Sequence, residues 1–538
     1  MAASLLDLFA FLSVLLRATT LASEAVTVGG VIFRFAILRQ EGDEGIRRRL
    51  YLLMMCSASL LAFAQLGYVA ANSFVLMQST GLTWAEVRGA EFCVSGSLMM
   101  LGSVLVGAFT LTRVWKILLP IGCILILSGA VMSSHSMARL DHRWVLAALT
   151  LTHHVASAAW IGGLPYLLLS LKSAPRAAFS AVISGRFSRL AIVSVAALLS
   201  AGLVLSTVYV GSFSALIGTA YGSMVLSKVI LTGLVLAIGA LNKKITAAVR
   251  AGITTGLLQL RRLGEAEVGL GLTVILAAAS LTSSPPAVDV QADRVTLAEI
   301  GTRMAPTWPR MQTPALSELS PPTRVNVASN SAVAASFVPG QRPSTNNPAD
   351  IAWSEYNHHW AGLIVLAIGV LSLAARRMRW ARNWPLVFFG LAVFLLIRAD
   401  SENWPLGPNG FWESFQVAEV AQHRLFVLLI VAFAIFEWRV QRSNIGMERA
   451  GLVFPMVCAA GGALLLTHSH SLGNVKEELL AELSHASLAI FAVIAGWSRW
   501  LEIRMKPEQA GPVRRFVPWI WPICFIFIGA ILLNYREA

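Results

Sequence analysis

The sequence predicts an all-α fold: a polytopic membrane helical bundle of about 14 transmembrane helices. Three observations predict it. The chain has 538 residues, of which 56% are hydrophobic and only 13% charged, whereas a soluble protein of this length needs about a quarter charged residues to cover its surface. Its apolar residues gather in runs of about 20, the length that crosses a bilayer as a helix. Its basic residues sit where a membrane would place them. With the N-terminus outside, the alternate loops on the inner side hold 28 Lys and Arg against 9 Asp and Glu, and the rest of the chain holds 14 against 19. Lys and Arg collect in cytoplasmic loops, so the net charge of +14 records topology rather than nucleic-acid binding.

The first eight spans run over about 8–36, 50–77, 89–111, 114–134, 144–171, 187–211, 222–241 and 266–283. The remaining six run over about 357–375, 384–398, 423–438, 451–468, 479–499 and 516–534. A barrel would need short alternating strands, which the pattern lacks. Between the two groups lies a hydrophilic segment rich in Pro, Ser, Thr and Asn, with stretches such as TWPRMQTPALSELSPPTRV and GQRPSTNNPAD. That composition buries no core and reads as an extended linker. The expected organisation is therefore an eight-helix membrane domain at 1–284, a Pro/Ser-rich periplasmic linker at 285–352 and a six-helix membrane domain at 353–538. The N-terminal run lacks a basic leader and reads as a retained first helix. Both termini are expected on the periplasmic side.

Several functions are excluded by what the spans do not carry. The five cysteines lie singly in apolar stretches, so they form neither a disulfide framework nor a thiolate metal site. No nucleotide-binding loop is present. The chain is read as a non-enzyme.

Histidine is the informative residue. All ten histidines fall on the outer side of the topology that Lys and Arg define. Imidazole is the commonest protein metal ligand, and this placement points to an outward-facing metal site; the plain alternative is polar filler at helix ends. At the end of span four His135 stands between Met132 and Met137, and thioether with imidazole suits copper better than Mg²⁺ or Ca²⁺. His153 and His154 in span five are about 100° apart on a helix, so one of them faces a given partner. In the second half His423, His468, His470 and His485 lie at one depth on three spans, and Glu482 precedes His485 by one turn. These residues are candidates for a second ion or for b-type haem ligation. The Glu355–His358 and Glu482–His485 spacings also admit a carboxylate-bridged di-metal reading. Arg17, Glu24, Glu91 and Lys228 are ionisable groups within spans, where burial costs several kcal/mol unless they are paired or hydrated. Arg17, Glu24 and Lys228 are candidates for a polar transport path, with a helix-packing ion pair as the alternative.

At these residues the sequence resembles the CopD family of bacterial copper-resistance membrane proteins. The resemblance rests on HVASAAWIGGLPYLL from His154 to Leu168 with its Trp-x-Gly-Gly. It continues through Gly218-Thr219-x-Tyr221-Gly222, Lys228 and Asn242, and through EVGLGLTVILAAASLTSSPP from Glu267. It covers the first half and is strongest over 130–286. It implies an inner-membrane unit that handles copper from the periplasmic side beside a soluble CopC-type carrier, with His153 or His154 and His135 as the family's histidines. The chain departs from the simple pattern in lacking a CopC-like domain and in adding six helices. The function expected is copper transport, as uptake or transfer from the periplasm, through outer His/Met sites at His135, Met137, His153 and His154. A b-type haem redox protein and a non-catalytic membrane assembly subunit are the alternatives. The expected partners are copper, the lipid bilayer and a CopC-like carrier, without nucleic acid.

Overall fold

A computed structural model describes residues 2–537 apart from 40–43, 113–116, 173–176, 252–255, 291–293, 320–346, 399–402, 415–417, 443–449, 467–475 and 506–512. The described residues form helices and no strand. Eight apolar helices come first: α1 Ala2–Ile32, α2 Glu44–Thr80, α3 Glu91–Thr112, α4 Leu118–Met132, α5 Arg143–Lys172, α6 Ala177–Val210, α7 Ala220–Arg250 and α8 Gly256–Ser283. A short helix, α9 Leu297–Met304, lies in the hydrophilic segment. After it come α10 Pro348–Ala374, α11 Val387–Arg398, α12 Ala418–Arg442, α13 Val453–Leu465, α14 Lys476–Arg504 and α15 Val513–Leu533. Among the described residues 11 helices are long and apolar enough to cross a membrane, and α4 and α13 are shorter apolar helices. Thirteen of the fourteen spans read from the sequence overlap these helices, and the remaining one, 423–438, falls on α12, which is in neither group. Phe63 and Leu111, each 72% exposed, and Leu203, 68% exposed, belong to an apolar outer surface for which lipid is the matching solvent.

The chain divides into two compact units. The first comprises 1–297 with 455–521, the second 298–454 with 522–538. The first unit therefore takes in α13 and α14, which lie beyond the hydrophilic segment in sequence. Two sets of polar contacts fasten them to α8. Near one end of α8, Glu265 accepts from Trp500 Nε1 at 3.1 Å and pairs with Arg504 at 3.1 Å. Towards the other, Ser280 Oγ donates to the Leu466 carbonyl at 2.9 Å. Leu263 and Ala266 of α8, on either side of Glu265, pack with Leu501, Met505 and Val517.

In a membrane, helices gain nothing from apolar burial against lipid tails, so close backbone approach and interhelical hydrogen bonds carry the packing. The α3–α4 contact shows the first device. A Cβ on Gly102 would stand 2.5 Å from the Gly122 carbonyl oxygen, and one on Gly122 would stand 2.7 Å from that of Gly102. The α1–α5 contact is tighter. A Cβ on Gly29 would overlap the Ala158 carbonyl, and a Cβ on Gly162 would overlap the Ala25 carbonyl. Here α5 widens into a π-helical turn, Ala158–Gly162, and π-bulges of this kind often mark functional sites.

The second unit holds His358 and His359. The Arg310 backbone N–H donates to His359 Nδ1 at 2.7 Å, and Nε2 on the same ring meets the Tyr535 carbonyl at 2.8 Å. His358 stacks on the Tyr535 ring, centroids 3.9 Å apart. Arg303 Nη1 adds a bond to the Glu537 carbonyl at 2.6 Å. These two histidines tie the chain on either side of α10 to its first turns, and so their ring nitrogens serve packing.

The glycine contacts give a contrast to measure. Gly162→Val forces backbones apart and should destabilise the detergent-solubilised protein by about 1–3 kcal/mol, the usual range for overpacking. Gly107→Val on α3, where an added Cβ meets nothing within 4 Å, should leave the unfolding midpoint unchanged. Equal midpoints for the two variants would contradict this account of the α1–α5 contact.

Candidate functional site

The α1–α5 crossing sets the site. Glu24 lies just over one helical turn before Gly29 on α1, and His154 lies about two turns before Gly162 on α5. With the two backbones in contact at the glycines, the Glu24 carboxylate reaches the imidazole: Oε1 is 2.8 Å from His154 Nδ1. The Glu24 side chain is 3% exposed and that of His154 20%. The other carboxylate oxygen, Oε2, is buried and makes no hydrogen bond. The rest of this α1 stripe is polar as well. Gln65 Nε2 donates to Thr20 Oγ1 at 2.8 Å, and Thr27 Oγ1 donates to Ser57 Oγ at 2.9 Å.

Arg17 does not pair with Glu24, although the two share a helix face. Its guanidinium donates to the Ser133 carbonyl at 2.7 Å, to Ser133 Oγ at 3.2 Å and to Thr282 Oγ1 at 3.4 Å. It thus joins the middle of α1 to the ends of α4 and α8, and leaves Glu24 to the histidine. The helix-packing ion pair that the spacing also admits is not formed.

His153 points round α5 towards α6. Its Cε1 lies 3.5 Å from where a Cβ on Gly202 would stand, so the glycine makes room for the ring. The Lys228 ammonium on α7 acts on it electrostatically, and no carboxylate pairs with Lys228 among the described residues.

His135 and Met137 lie in a one-turn helix, His135–Ala138, beyond the end of α4. The His135 ring packs against Tyr209 and Tyr221, with centroids 6.1 and 6.5 Å away. Burial, with the Arg17 and Arg139 cations adding to it, holds this imidazole below its ordinary pKa. It is therefore neutral near pH 7, the form that ligates metals. His135 lines a cleft of about 580 Å³ with Arg139, His142, Pro286 and Asp289. Across the cleft wall Arg139 Nη2 contacts both Asp289 oxygens at 2.9 Å.

The structure thus brings Glu24 and His154 together and sets His153 beside Lys228, with His135 in its own tyrosine-lined recess. Among the described residues no group of three or more His, Cys, Asp or Glu is arranged to hold a metal ion. His423 lies in α12 of the second unit and His485 in α14 of the first. His468 and His470 lie outside the described residues. One functional candidate that the sequence pattern does not single out is Glu267. It is 3% exposed in α8 and accepts from Trp160 Nε1 at 3.0 Å and from Asn242 Nδ2 at 2.6 Å. The available signal is a lone carboxylate opening the apolar run EVGLGLTVIL, among the same residues that carry the family resemblance.

The cleft wall generates a prediction. The Arg139–Asp289 pair is half-exposed, so Asp289→Asn should change stability by no more than about 1 kcal/mol. It should nevertheless raise the rate at which diethyl pyrocarbonate modifies His135. An unchanged rate would mean that the ion pair does not guard the cleft.

Residues 181–281 match the family model CopD, copper resistance protein D. Comparison with curated proteins and with solved structures finds no match. The matched residues run from α6 to the last turns of α8 and contain no histidine. They supply what the imidazoles lean on: Gly202 for His153, and Tyr209 and Tyr221 for His135. The chain is a multi-pass membrane protein whose residues 181–281 are similar to the copper resistance protein D family model.

Proposed function

We propose that the chain transports copper, taking the ion from the periplasmic side through sites in the first unit. The observation that carries this reading is the 2.8 Å contact between Glu24 and His154. A carboxylate on one ring nitrogen fixes the tautomer: Nδ1–H donates to Glu24, and the Nε2 lone pair becomes the ligand atom. Metal-binding histidines characteristically donate their other N–H to such a partner, which orients the ring and raises its basicity. The carboxylate also lends negative charge to a place where an approaching cation loses its hydration shell. The CopD match supports copper as the ion, and the imidazole and thioether chemistry of His135 and Met137 suits that ion.

In this reading His135 meets the ion at the cleft, with Met137 two residues on in the same one-turn helix, and His154 accepts it. His153, Glu24, Arg17 and Lys228 line the polar way onward. A transport site must bind well enough to load and weakly enough to release; one oriented imidazole backed by one carboxylate has that character. In the same reading the protein lies in the bacterial inner membrane with both termini in the periplasm, where a CopC-like carrier would deliver or receive the ion.

Two measurements test this. His154→Ala should remove copper from the purified protein, read by elemental analysis, whereas His142→Ala in the exposed loop should not. Glu24→Gln should weaken copper binding by about 10–100-fold against a competing chelator, the usual effect of losing a histidine's carboxylate partner. Copper affinity indifferent to both His154→Ala and Glu24→Gln would rule the site out. Orientation has its own test: a reporter fused after Ala538 should be active only in its periplasmic form.

A further inference from the structure

We propose that Glu267 is a proton-binding site inside the helix bundle, and that copper arriving at His154 displaces its proton. The second clause rests on the copper reading above; the first does not.

Glu267 is a buried carboxyl with neutral company. Trp160 Nε1–H donates to Oε1, and Asn242 Nδ2–H donates to Oε2. Gly239, one turn before Asn242 on α7, leaves room for the group: a Cβ there would stand 3.4 Å from Oε1. The charged side chains on the elements packed against α8 are engaged elsewhere or lie at the surface. Arg17 holds Ser133 and Thr282, Glu24 holds His154, and Arg504 holds Glu265. Lys172, Lys243 and Lys244 are exposed, and Lys228 lies about three turns back along α7. Tyr166, the buried phenol on α5, lies against Gly30 instead. Among the described residues no cation forms an ion pair with Glu267.

The second observation is on Asn242. Its Oδ1 is buried and accepts no hydrogen bond. A buried polar atom left unpaired costs free energy, and here it lies on the same amide group that serves the carboxylate. The arrangement accommodates two states. With Glu267 ionised, Oε2 accepts from Nδ2, and Oδ1 is the unpaired atom. With a proton from solvent on Oε2, that oxygen becomes a donor. A half-turn of the Asn242 amide then presents Oδ1 as acceptor and leaves Nδ2 unpaired. Trp160 donates to Oε1 in both states. The count of hydrogen bonds is the same before and after, so the surroundings permit the carboxyl to gain and lose a proton without repacking.

The link to copper runs along α5. Trp160, which donates to Glu267, lies six residues beyond His154 on α5, inside the π-helical turn pressed on α1. A charge at His154 and one at Glu267 share a low-dielectric bundle, in which they act on one another more strongly than in water. A cation on His154 favours the ionised carboxyl, so the proton leaves as the ion arrives and the buried charge stays balanced.

Infrared difference spectroscopy of the purified full-length protein tests both clauses. Without copper, the wild type should show a carboxylic-acid C=O band that titrates with pH and is missing in Glu267→Gln. Trp160→Phe keeps the carboxyl but removes a donor that favours the charged form. It should shift the titration towards higher pH by about tenfold in proton affinity. Adding Cu(I) at fixed pH should reduce the wild-type band. A band that is absent, or that persists in Glu267→Gln, overturns the proton site. A titrating band that ignores copper, in protein shown by elemental analysis to hold the metal, overturns the coupling. Protein that keeps the titrating band but binds no copper at all rejects the copper reading and leaves the proton site standing.

Discussion

The structure of the first unit depends on the contact of two backbones, α1 and α5, at Gly29 and Gly162. In lipid no hydrophobic force drives such an approach, so the helices meet only because neither carries a side chain there. The consequence is geometric. A carboxylate on α1 and an imidazole on α5, 130 residues apart in sequence, come to hydrogen-bond distance. The Trp160 indole, rising from the same turn, is directed to a second carboxylate on α8. The Trp-x-Gly-Gly motif therefore does two jobs at once. Its first glycine sets the distance between helices, and its tryptophan donates a hydrogen bond to a buried carboxyl on a third helix.

Two buried carboxylates in one bundle pose an electrostatic problem, and the unit treats them differently. Glu24 has an imidazole that can share a proton and take a cation; Glu267 has only an indole and an amide. The first is suited to hold a metal ion's partner in one orientation, the second to change protonation state. Arg17 explains why Glu24 is left available. Its guanidinium is engaged by the Ser133 carbonyl, Ser133 Oγ and Thr282, and burying an arginine requires donors to be matched in this way. Were Arg17 to pair with Glu24, the carboxylate would be neutralised before any ion arrived.

Much of the fold was legible in the sequence because membrane spans obey a length rule and a charge rule that act on each loop independently. The helix α12 marks the limit of the length rule: it covers the span read at 423–438 but is not among the helices apolar enough to cross a membrane. The site was legible only in part. His135, His153, His154, Arg17, Glu24 and Lys228 could be singled out, since histidines and intramembrane charges are rare enough to stand out. Their pairing could not, because nothing local relates Glu24 to His154; it depends on two glycines whose role appears only when the helices cross. His358 and His359 illustrate the converse. Their adjacency to Glu355 resembles a metal motif, yet His359 has one nitrogen committed to the Arg310 backbone N–H and the other to the Tyr535 carbonyl. Such contacts join segments that the sequence separates by 49 and 176 positions, and periodicity carries no trace of them.

The packing of α13 and α14 raises a question that composition alone would not pose. The hydrophilic segment 285–352 suggests a division of the chain there, but α14 returns to α8 and fastens to it. The Glu265 clamp binds the α8 carboxylate to Trp500 and Arg504, with Arg262 of α8 at 2.6 Å as its third partner. Ser280 holds the end of α13 near the other end of α8. The helix between these two points bears Glu267. With α8 held at Glu265 and at Ser280, a side-chain rearrangement at Glu267 breaks fewer contacts than a shift of the helix. That restraint favours a small switch, the half-turn of one amide, over a movement of the whole span.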